Sequence, residues 1–273
     1  MSAQTALALW VGVGGLAAAA LVWAARRLNV WLGWVRPNYL GVELPAFCGI
    51  AFPALGVLCV LGLPLADRAG MDGPVLWVVL GGTVCFGVVG LADGLWGSPE
   101  VRGIAGHLRT LFSEGRLTTG FLKMAVGIVA GLFLGMLLCG GRLGPAVVAG
   151  AVIALSANGI NLLDTRPGRA PWTATVILAV LFLLPLTRGY TAVSISFPLW
   201  PFLIAAEAMA LSDRARLSMM GDVGSNSLGA VVGIGLVLAT DLRVQLVIAV
   251  ALFALSLLGD RYSLSAWLDR KRP

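Results

Sequence analysis

Nine apolar segments recur along the chain, and they constrain its fold more than any other feature. A helix needs about 20 mainly apolar residues to cross a bilayer, and a helix satisfies its own backbone hydrogen bonds there. We therefore predict an all-α fold, a polytopic membrane helix bundle of about nine transmembrane helices. We place the segments at residues 5–25, 46–65, 74–92, 119–139, 143–162, 172–187, 194–211, 226–240 and 243–259.

The composition excludes an ordinary soluble protein. Hydrophobic residues make up 59% of the chain and charged residues only 12%, against about 25% charged residues in soluble domains. No linker or repeat divides the chain, so we predict a single integral membrane domain over residues 1–273. The net charge is +6, but basic residues do not alternate with aromatic ones, and we expect no nucleic-acid partner.

The basic residues predict an orientation. With the N-terminus outside and the C-terminus cytoplasmic, 15 of the 19 Lys and Arg residues fall on the inside, which satisfies the positive-inside rule. The first segment ends at Arg26 and Arg27 without an export cleavage pattern, so we expect it to remain as an anchor. We predict a multi-pass protein of the cell inner (plasma) membrane whose active face is cytoplasmic. The residues left outside are Arg68, Arg142, Arg188 and Arg243.

Three aspartates stand at predicted inner helix ends. Asp93 lies in GLADGLWG, Asp164 in ANGINLLDTRPGRA and Asp222 in MGDVGSNSLG. Carboxylates from three loops can converge on a hard cation, and Mg²⁺ is typically held by one or two carboxylates plus substrate phosphates. The alternative is that each is a helix cap or a solvated charge, which is the interpretation we give to Asp213, Asp260 and Asp269.

Polar side chains surround two of these aspartates. Asn158 and Asn161 precede Asp164 at helical spacing, so all three share one helix face, and polar groups there predict a cleft rather than lipid contact. Gly221, Gly224, Ser225 and Asn226 are predicted to form a turn before a helix whose N-terminus attracts phosphate. The alternative is an ordinary Gly-rich turn with a Ser or Asn cap.

Together, GLADG, NGINLLD and MGDVGSNSLG resemble, in order, the motifs of the polyprenyl-phosphate N-acetylhexosamine-1-phosphate transferases. This superfamily includes the phospho-N-acetylmuramoyl-pentapeptide transferase of cell-wall synthesis, and the chain is similar to a short, divergent branch of it. The resemblance spans about residues 36–260. It implies transfer of a sugar-1-phosphate from a UDP-sugar to a polyprenyl phosphate, with Mg²⁺ as cofactor.

The resemblance also implies residue roles. Asp222 matches the metal-binding aspartate, and Asp93 matches the first Asp of a GxxDD motif, with a catalytic and metal role. Asn158, Asn161 and Asp164 match the motif on the nucleotide side of the cleft. Ser225 follows in the last motif as a substrate-binding candidate.

The chain departs from the family pattern at several points. Gly94 replaces the second Asp of GxxDD, and an Arg-rich stretch with Arg166 and Arg169 follows Asp164, where it could bind phosphate or only set topology. The family's His-rich cytoplasmic motif has no counterpart in this sequence. His107, the only histidine, and Arg109 lie in the loop 93–118, as substrate contacts or as solvated residues.

Other interpretations stay open. The departures favour, as an alternative, a catalytically degenerate homologue that binds lipid phosphate or nucleotide-sugar as a scaffold or regulator. A transporter would call for inverted repeats and midplane polar sites, which the sequence lacks. Glu207 lies within the seventh segment as a functional candidate or a hydrogen-bonded structural group, and a homodimer or a partner subunit is also open.

Overall fold

A computed structural model describes residues 1–70, 73–97, 103–188 and 192–261 of the chain. Eleven α-helices dominate these ranges, in line with the predicted all-α fold, for which about nine helices were expected. They are α1 Ala3–Trp31, α2 Ala51–Leu61, α3 Leu63–Arg68, α4 Gly73–Trp96, α5 Gly103–Glu114, α6 Thr119–Leu138, α7 Leu143–Leu163, α8 Arg169–Arg188, α9 Ala192–Arg214, α10 Gly221–Ala239 and α11 Leu242–Arg261.

The prediction of a multi-pass helical membrane protein is confirmed. Within the described ranges, six helices are long and apolar enough to cross a bilayer, namely α1, α4, α6, α7, α10 and α11. The stretches Cys48–Leu61 and Arg169–Leu183 are apolar but shorter. Each of the nine predicted segments coincides with helical structure, and the loop predicted at 93–118 contains one further helix, α5.

A short β-hairpin is the departure from an all-helical chain. Strands β1, Val35–Pro37, and β2, Glu43–Pro45, pair antiparallel with Arg36 opposite Leu44. Asn38 closes the turn, because its Oδ1 accepts hydrogen bonds from the backbone N–H groups of Leu40 and Val42. The hairpin returns the chain from the end of α1 to the start of the helical segment that contains α2.

Helix α10 lies at the centre of the bundle, packed between α4 and α7. Its segment was the least regular of the nine by sequence, since Gly229, Gly233 and Gly235 interrupt it. In the structure nearly the whole helix is buried, and Gly229 and Gly233 lie directly against the α7 backbone. Small residues let membrane helices approach closely, so these glycines are packing positions.

The polar residues gather at one end of the bundle, which we call the polar end. The carboxyl ends of α1, α4, α7 and α9 meet there with the amino ends of α6, α8 and α10. Exposed Trp31, Trp96 and Trp172 lie at the same end. Tryptophan is enriched at membrane–water interfaces, so these three side chains are placed as an interfacial belt.

Candidate functional site

A pocket of about 410 Å³ opens at the polar end. Its walls come from the hairpin, from the connection between α7 and α8, and from the chain that leads into α10. The lining residues are Arg36, Pro37, Asn38, Tyr39, Leu44, Ala46, Phe47, Gly94, Asp164, Thr165, Arg166, Pro167, Asp213, Met219, Met220, Gly221 and Asp222.

Lys123 links Asp93 and Asp222 beside this pocket. Its Nζ lies 2.7 Å from Asp222 Oδ2 and 3.4 Å from Asp93 Oδ2. The ammonium is largely buried, with 17% of the Lys123 side chain exposed, while 37% of the Asp222 side chain is exposed. Two carboxylates from α4 and α10, 129 positions apart in the sequence, therefore share one cation position.

Short hydrogen bonds hold the Asp93 carboxylate and the backbone of Asp222. Thr119 Oγ1, in the first turn of α6, donates to Asp93 Oδ1 at 2.6 Å. Asn226 Nδ2, one turn along α10, donates to the carbonyl oxygen of Asp222 at 2.6 Å. Gly221 begins α10 with a φ of 70°, a left-handed conformation that glycine adopts readily. The chain turns sharply there and places Asp222 in the first helical turn.

The predicted turn before α10 is shorter than expected. The sequence placed Ser225 and Asn226 before the helix, but α10 begins at Gly221, so both lie within it. Ser225 Oγ donates to Asn161 Oδ1 at 2.7 Å. These buried side chains tie α7 to α10 beneath the pocket. The helix starts early because the φ of Gly221 ends the preceding loop.

The three polar residues of α7 diverge. Asn158 Nδ2 donates to Ser256 Oγ of α11 at 2.9 Å, and it does not line the pocket. Asn161 bonds α10, and Asp164 lies one residue past the helix end and does line the pocket. The predicted shared cleft therefore includes Asp164 only, because neighbouring helices take up the two asparagine side chains.

Asp164 carries a strongly perturbed acid group. Burial raises the pKa of its carboxyl to about 8, and the negative charges of Asp213 and Asp222 raise it further, while Lys123 lowers it. Three acid groups, Asp164, Asp213 and Asp222, therefore line the same pocket as the two arginines Arg36 and Arg166. With a pKa of about 8 the Asp164 carboxyl is protonated at neutral pH, so the other two carboxylates and the two arginines balance in charge.

Arg166 lines the pocket and contacts Tyr39 of the hairpin. Its guanidinium lies 4.9 Å from the centre of the Tyr39 ring, a cation–π contact between the hairpin and the α7–α8 connection. Arg169, the other predicted phosphate contact, does not line the pocket. Its Nη1 lies 3.4 Å from Thr165 Oγ1. Of the two arginines, Arg166 alone is placed to meet a pocket ligand directly.

Asp213 overturns the interpretation that it is a solvated charge or a cap of its own helix. Only 5% of Asp213 is exposed, and its Oδ2 accepts a 2.7 Å hydrogen bond from Gly168 N. The last turn of α9 thereby fixes the connection that carries Asp164 and Arg166. The side chain of Asp260 and the whole of Asp269 lie outside what the structure describes.

His107 and Arg109 lie on α5, away from the pocket lining. His107 Nδ1 is 2.8 Å from Thr118 Oγ1, and that hydroxyl caps the N-terminus of α6. Arg109 is exposed on the surface of α5. His107 therefore reaches the site only through the start of α6, where the next residue, Thr119, holds Asp93.

Gly94 is required by packing. A side chain at this position would meet the ring of Phe47, whose Cε1 lies 2.8 Å from the place of a Cβ. The space that a second aspartate would occupy is thus filled by an aromatic ring, which also stacks edge-on against Trp34. Glu207, in α9, has a buried Oε2 with no hydrogen-bond partner among the described residues.

The residues present fit a hard divalent cation in part. In the described ranges no three His, Cys, Asp or Glu side chains are grouped closely enough to hold a metal alone. The pair of Asp93 and Asp222 supplies oxygen donors on either side of the Lys123 ammonium. Two carboxylates plus substrate phosphates are a common donor set for Mg²⁺, so the pair fits Mg²⁺ that arrives with a phosphorylated substrate.

Sequence reasoning missed Lys123, Thr119 and Asp213 as parts of this region. Lys123 did carry a signal, because it is a charged residue inside the apolar segment 119–139, where ionisable groups are rare and functional. Asp213 carried no sequence signal that distinguishes it from a solvated aspartate at a helix end.

No protein-family model matches the chain, and no curated protein sequence is significantly similar to it.

Proposed function

We propose that this chain is a Mg²⁺-dependent phosphoglycosyl transferase that acts on a polyprenyl phosphate at the cytoplasmic membrane face, in cell-envelope glycan synthesis. The observation that carries the proposal is the shared cation position of Asp93 and Asp222 at Lys123, beside a pocket edged by arginines. Phosphoryl transfer depends mainly on positioning and charge neutralisation, and this arrangement supplies groups for both.

The reaction joins two phosphates. An oxygen of the polyprenyl phosphate attacks the sugar-bearing phosphorus of the UDP-sugar, and the bond to UMP breaks. The products are polyprenyl-diphospho-sugar and UMP. Arg36 and Arg166 line the pocket and offer positive charge to the donor diphosphate. Lys123, between the two carboxylates, is placed to reach the phosphate that meets them.

Asp93 and Asp222 are the residues that would hold Mg²⁺, and the ion when bound would neutralise the phosphate oxygens. Asp164 lines the pocket just past the end of α7, and the hydrogen bond between Ser225 and Asn161 joins α10 to α7 nearby. In this proposal Asp164 contacts the nucleotide directly, while Asn161 and Ser225 support the start of α10.

Topology belongs to the same proposal. Nine membrane crossings with the N-terminus outside would place the polar end in the cytoplasm of a cell with this protein in its inner membrane. The described basic residues support a cytoplasmic polar end, because more of them lie there than at the other end. Those at the polar end are Arg26, Arg27, Arg36, Arg166 and Arg214, and those at the other end are Arg68, Arg142 and Arg243. A homodimer or a partner subunit is compatible with it.

Two observations favour the alternative of a non-catalytic homologue. Lys123 already occupies the position between the two carboxylates, and Phe47 fills the space beside Gly94. Such a protein would bind lipid phosphate or nucleotide-sugar without turnover.

The test uses purified full-length protein in detergent with polyprenyl phosphate, Mg²⁺ and a panel of UDP-sugars, with UMP release as the readout. EDTA and Asp222→Ala are the controls. UMP released only with lipid and metal together supports the transferase, and the panel identifies the sugar. A folded protein that releases no UMP from any donor, yet binds polyprenyl phosphate, supports the alternative.

A further inference from the structure

Helix α5 presents an aromatic side chain to its surroundings on the side that does not pack against the bundle. Its packed side includes Thr110, which is buried, and His107, which is half-buried. On the other side 82% of Phe112 is exposed, and 76% of Leu117 is exposed in the connection that follows. Both side chains are therefore open to whatever surrounds the protein.

The position of α5 along the bundle identifies what covers them. Trp96 ends α4 seven residues before α5 begins, and it is exposed at the polar end. Helix α6 starts just after Leu117 and carries an exposed apolar stripe through Leu122, Val129 and Phe133. In a spanning helix that stripe contacts lipid. Phe112 and Leu117 therefore lie between the interfacial tryptophan and a lipid-facing surface.

The charged residues on α5 suit the same surroundings. Arg109 is exposed three residues before Phe112, so the two are neighbours on the helix surface. A long basic side chain beside an apolar face can extend to lipid headgroups. Ser113 is also exposed but points about 100° away from Phe112 around the helix axis. The helix thus has a lipid-compatible side and a water-compatible side.

We propose that α5 is an in-plane interfacial helix that packs Phe112 and Leu117 into the bilayer surface and links the bilayer to the position of Asp93. The partner is the lipid of the leaflet at the polar end. Amphipathic helices of this kind bury one face at the boundary of headgroups and acyl chains.

Two hydrogen bonds form the link to Asp93. His107 of α5 contacts Thr118 Oγ1 at 2.8 Å, and Thr119 Oγ1 donates to Asp93 Oδ1 at 2.6 Å. Thr118 also caps α6 by accepting a hydrogen bond from the Phe121 backbone N–H. A displacement of α5 from the bilayer therefore acts on the first turn of α6, which holds Asp93 through Thr119 and is followed directly by Lys123.

The depth of α5 is measured with nitroxide labels on full-length protein in lipid nanodiscs. Labels are attached to Phe112→Cys and, as the matched control, to Ser113→Cys, both in a Cys85→Ser, Cys139→Ser background. We expect the label at position 112 to collide more with oxygen, which concentrates in lipid, and the label at 113 with a water-soluble nickel chelate. Equal exposure of both labels to the nickel chelate would overturn the proposal.

The link is measured by amide hydrogen exchange over residues 115–123 in the same nanodiscs. Phe112→Ser should speed exchange there several-fold, whereas Phe112→Leu, which retains an apolar side chain, should leave it near the native rate. Unchanged exchange in Phe112→Ser would exclude the link while leaving the depth result standing. Neither measurement depends on catalysis, so a failed UMP assay does not decide them.

Discussion

The pocket at the polar end has two walls that are built differently. The helix wall, formed by Asp93, Lys123 and Asp222 on α4, α6 and α10, is held by ion pairs between side chains of packed helices. The loop wall is formed by residues 36–39 of the hairpin and residues 164–167 between α7 and α8, and its contacts include a buried hydrogen bond from Gly168 N to Asp213 and a cation–π contact between Arg166 and Tyr39.

This difference indicates that the helix wall is the more rigid of the two and the loop wall the more adaptable. Helices of a bundle fix the spacing of the charges on the helix wall, because shifting one of them disturbs the packing of small residues around α10. The loop wall lies on a hairpin and on a connection between helices, which helix packing constrains less. We expect the chemistry to depend on the first wall and ligand capture on the second.

Among the changes that test the two walls, removal of the Asp222 carboxylate should reduce activity the most. Asp222→Ala takes one of two carboxylates from the shared cation position, and we expect UMP release to fall by about 100-fold or more. Native-like thermal unfolding would show that the fold is intact. Near-normal turnover would remove the metal-site proposal and with it the assignment of chemistry to the helix wall.

Asp213 tests the loop wall. Asp213→Ala leaves Gly168 N without its buried acceptor, which should cost about 2 kcal/mol of local stability. Hydrogen exchange over residues 164–169 should then increase, and KM for the donor should rise more than kcat falls. Asp213→Asn is the matched control, because its Oδ1 can still accept the hydrogen bond. Equal loss in both variants would show that the charge matters rather than the hydrogen bond.

The pH dependence of stability above about pH 6 should come from Asp164, while below it Asp213 contributes as well, because burial raises the pKa of its carboxyl to about 6. The Asp164 carboxyl has a pKa of about 8 in the folded protein against 3.8 as the reference value, so between these values the folded state binds more protons than the unfolded state. Stability should therefore fall as pH rises, by about 1 kcal/mol per pH unit, up to about pH 8.

Thermal unfolding of the purified protein from pH 5 to pH 9, with EDTA present, measures this slope. Asp164→Asn should be flatter over the same range, since the amide does not titrate. A slope that persists unchanged in the variant would assign the effect to other groups.

Substitutions of Lys123 test whether its ammonium and Mg²⁺ occupy the same position in the helix wall. Lys123→Met leaves Asp93 and Asp222 facing each other without a cation, and we expect a loss of about 1 kcal/mol in stability. Added Mg²⁺ should raise the melting temperature of this variant more than that of the native protein. Lys123→Arg keeps the charge and serves as the control. A Mg²⁺ response of the same size in all three proteins would argue against a shared position.

The smallest expected effect compares two arginines. Arg166→Ala removes the contact with Tyr39 and a positive charge at the pocket mouth, and KM for the donor should rise about three- to tenfold. Arg142→Ala removes the same charge at the opposite end of the bundle and should leave KM unchanged. An equal rise in both would indicate a global effect of charge rather than capture by the loop wall.

Much of the helix wall could be anticipated from the sequence. Aspartates at the ends of apolar segments stand out because the surrounding composition is so apolar, and their motif order narrows the chemistry. Lys123 was visible as a charge within a segment, but its two partners were not. The loop wall was anticipated in part, through Asp164 and Arg166, but no spacing pattern marks Tyr39 or the supporting Asp213.

The sequence by itself determined that the chain is a bundle of apolar helices with its polar residues gathered between particular segments. That much follows because helix length and hydropathy are local properties that the bilayer selects. Only the tertiary structure decided that Asp93 and Asp222 share Lys123, that Asn158 serves α11, and that Asp213 holds the α7–α8 connection. These pairings join residues from 30 to 99 positions apart, and they depend on how helices rotate and pack, which no local pattern encodes.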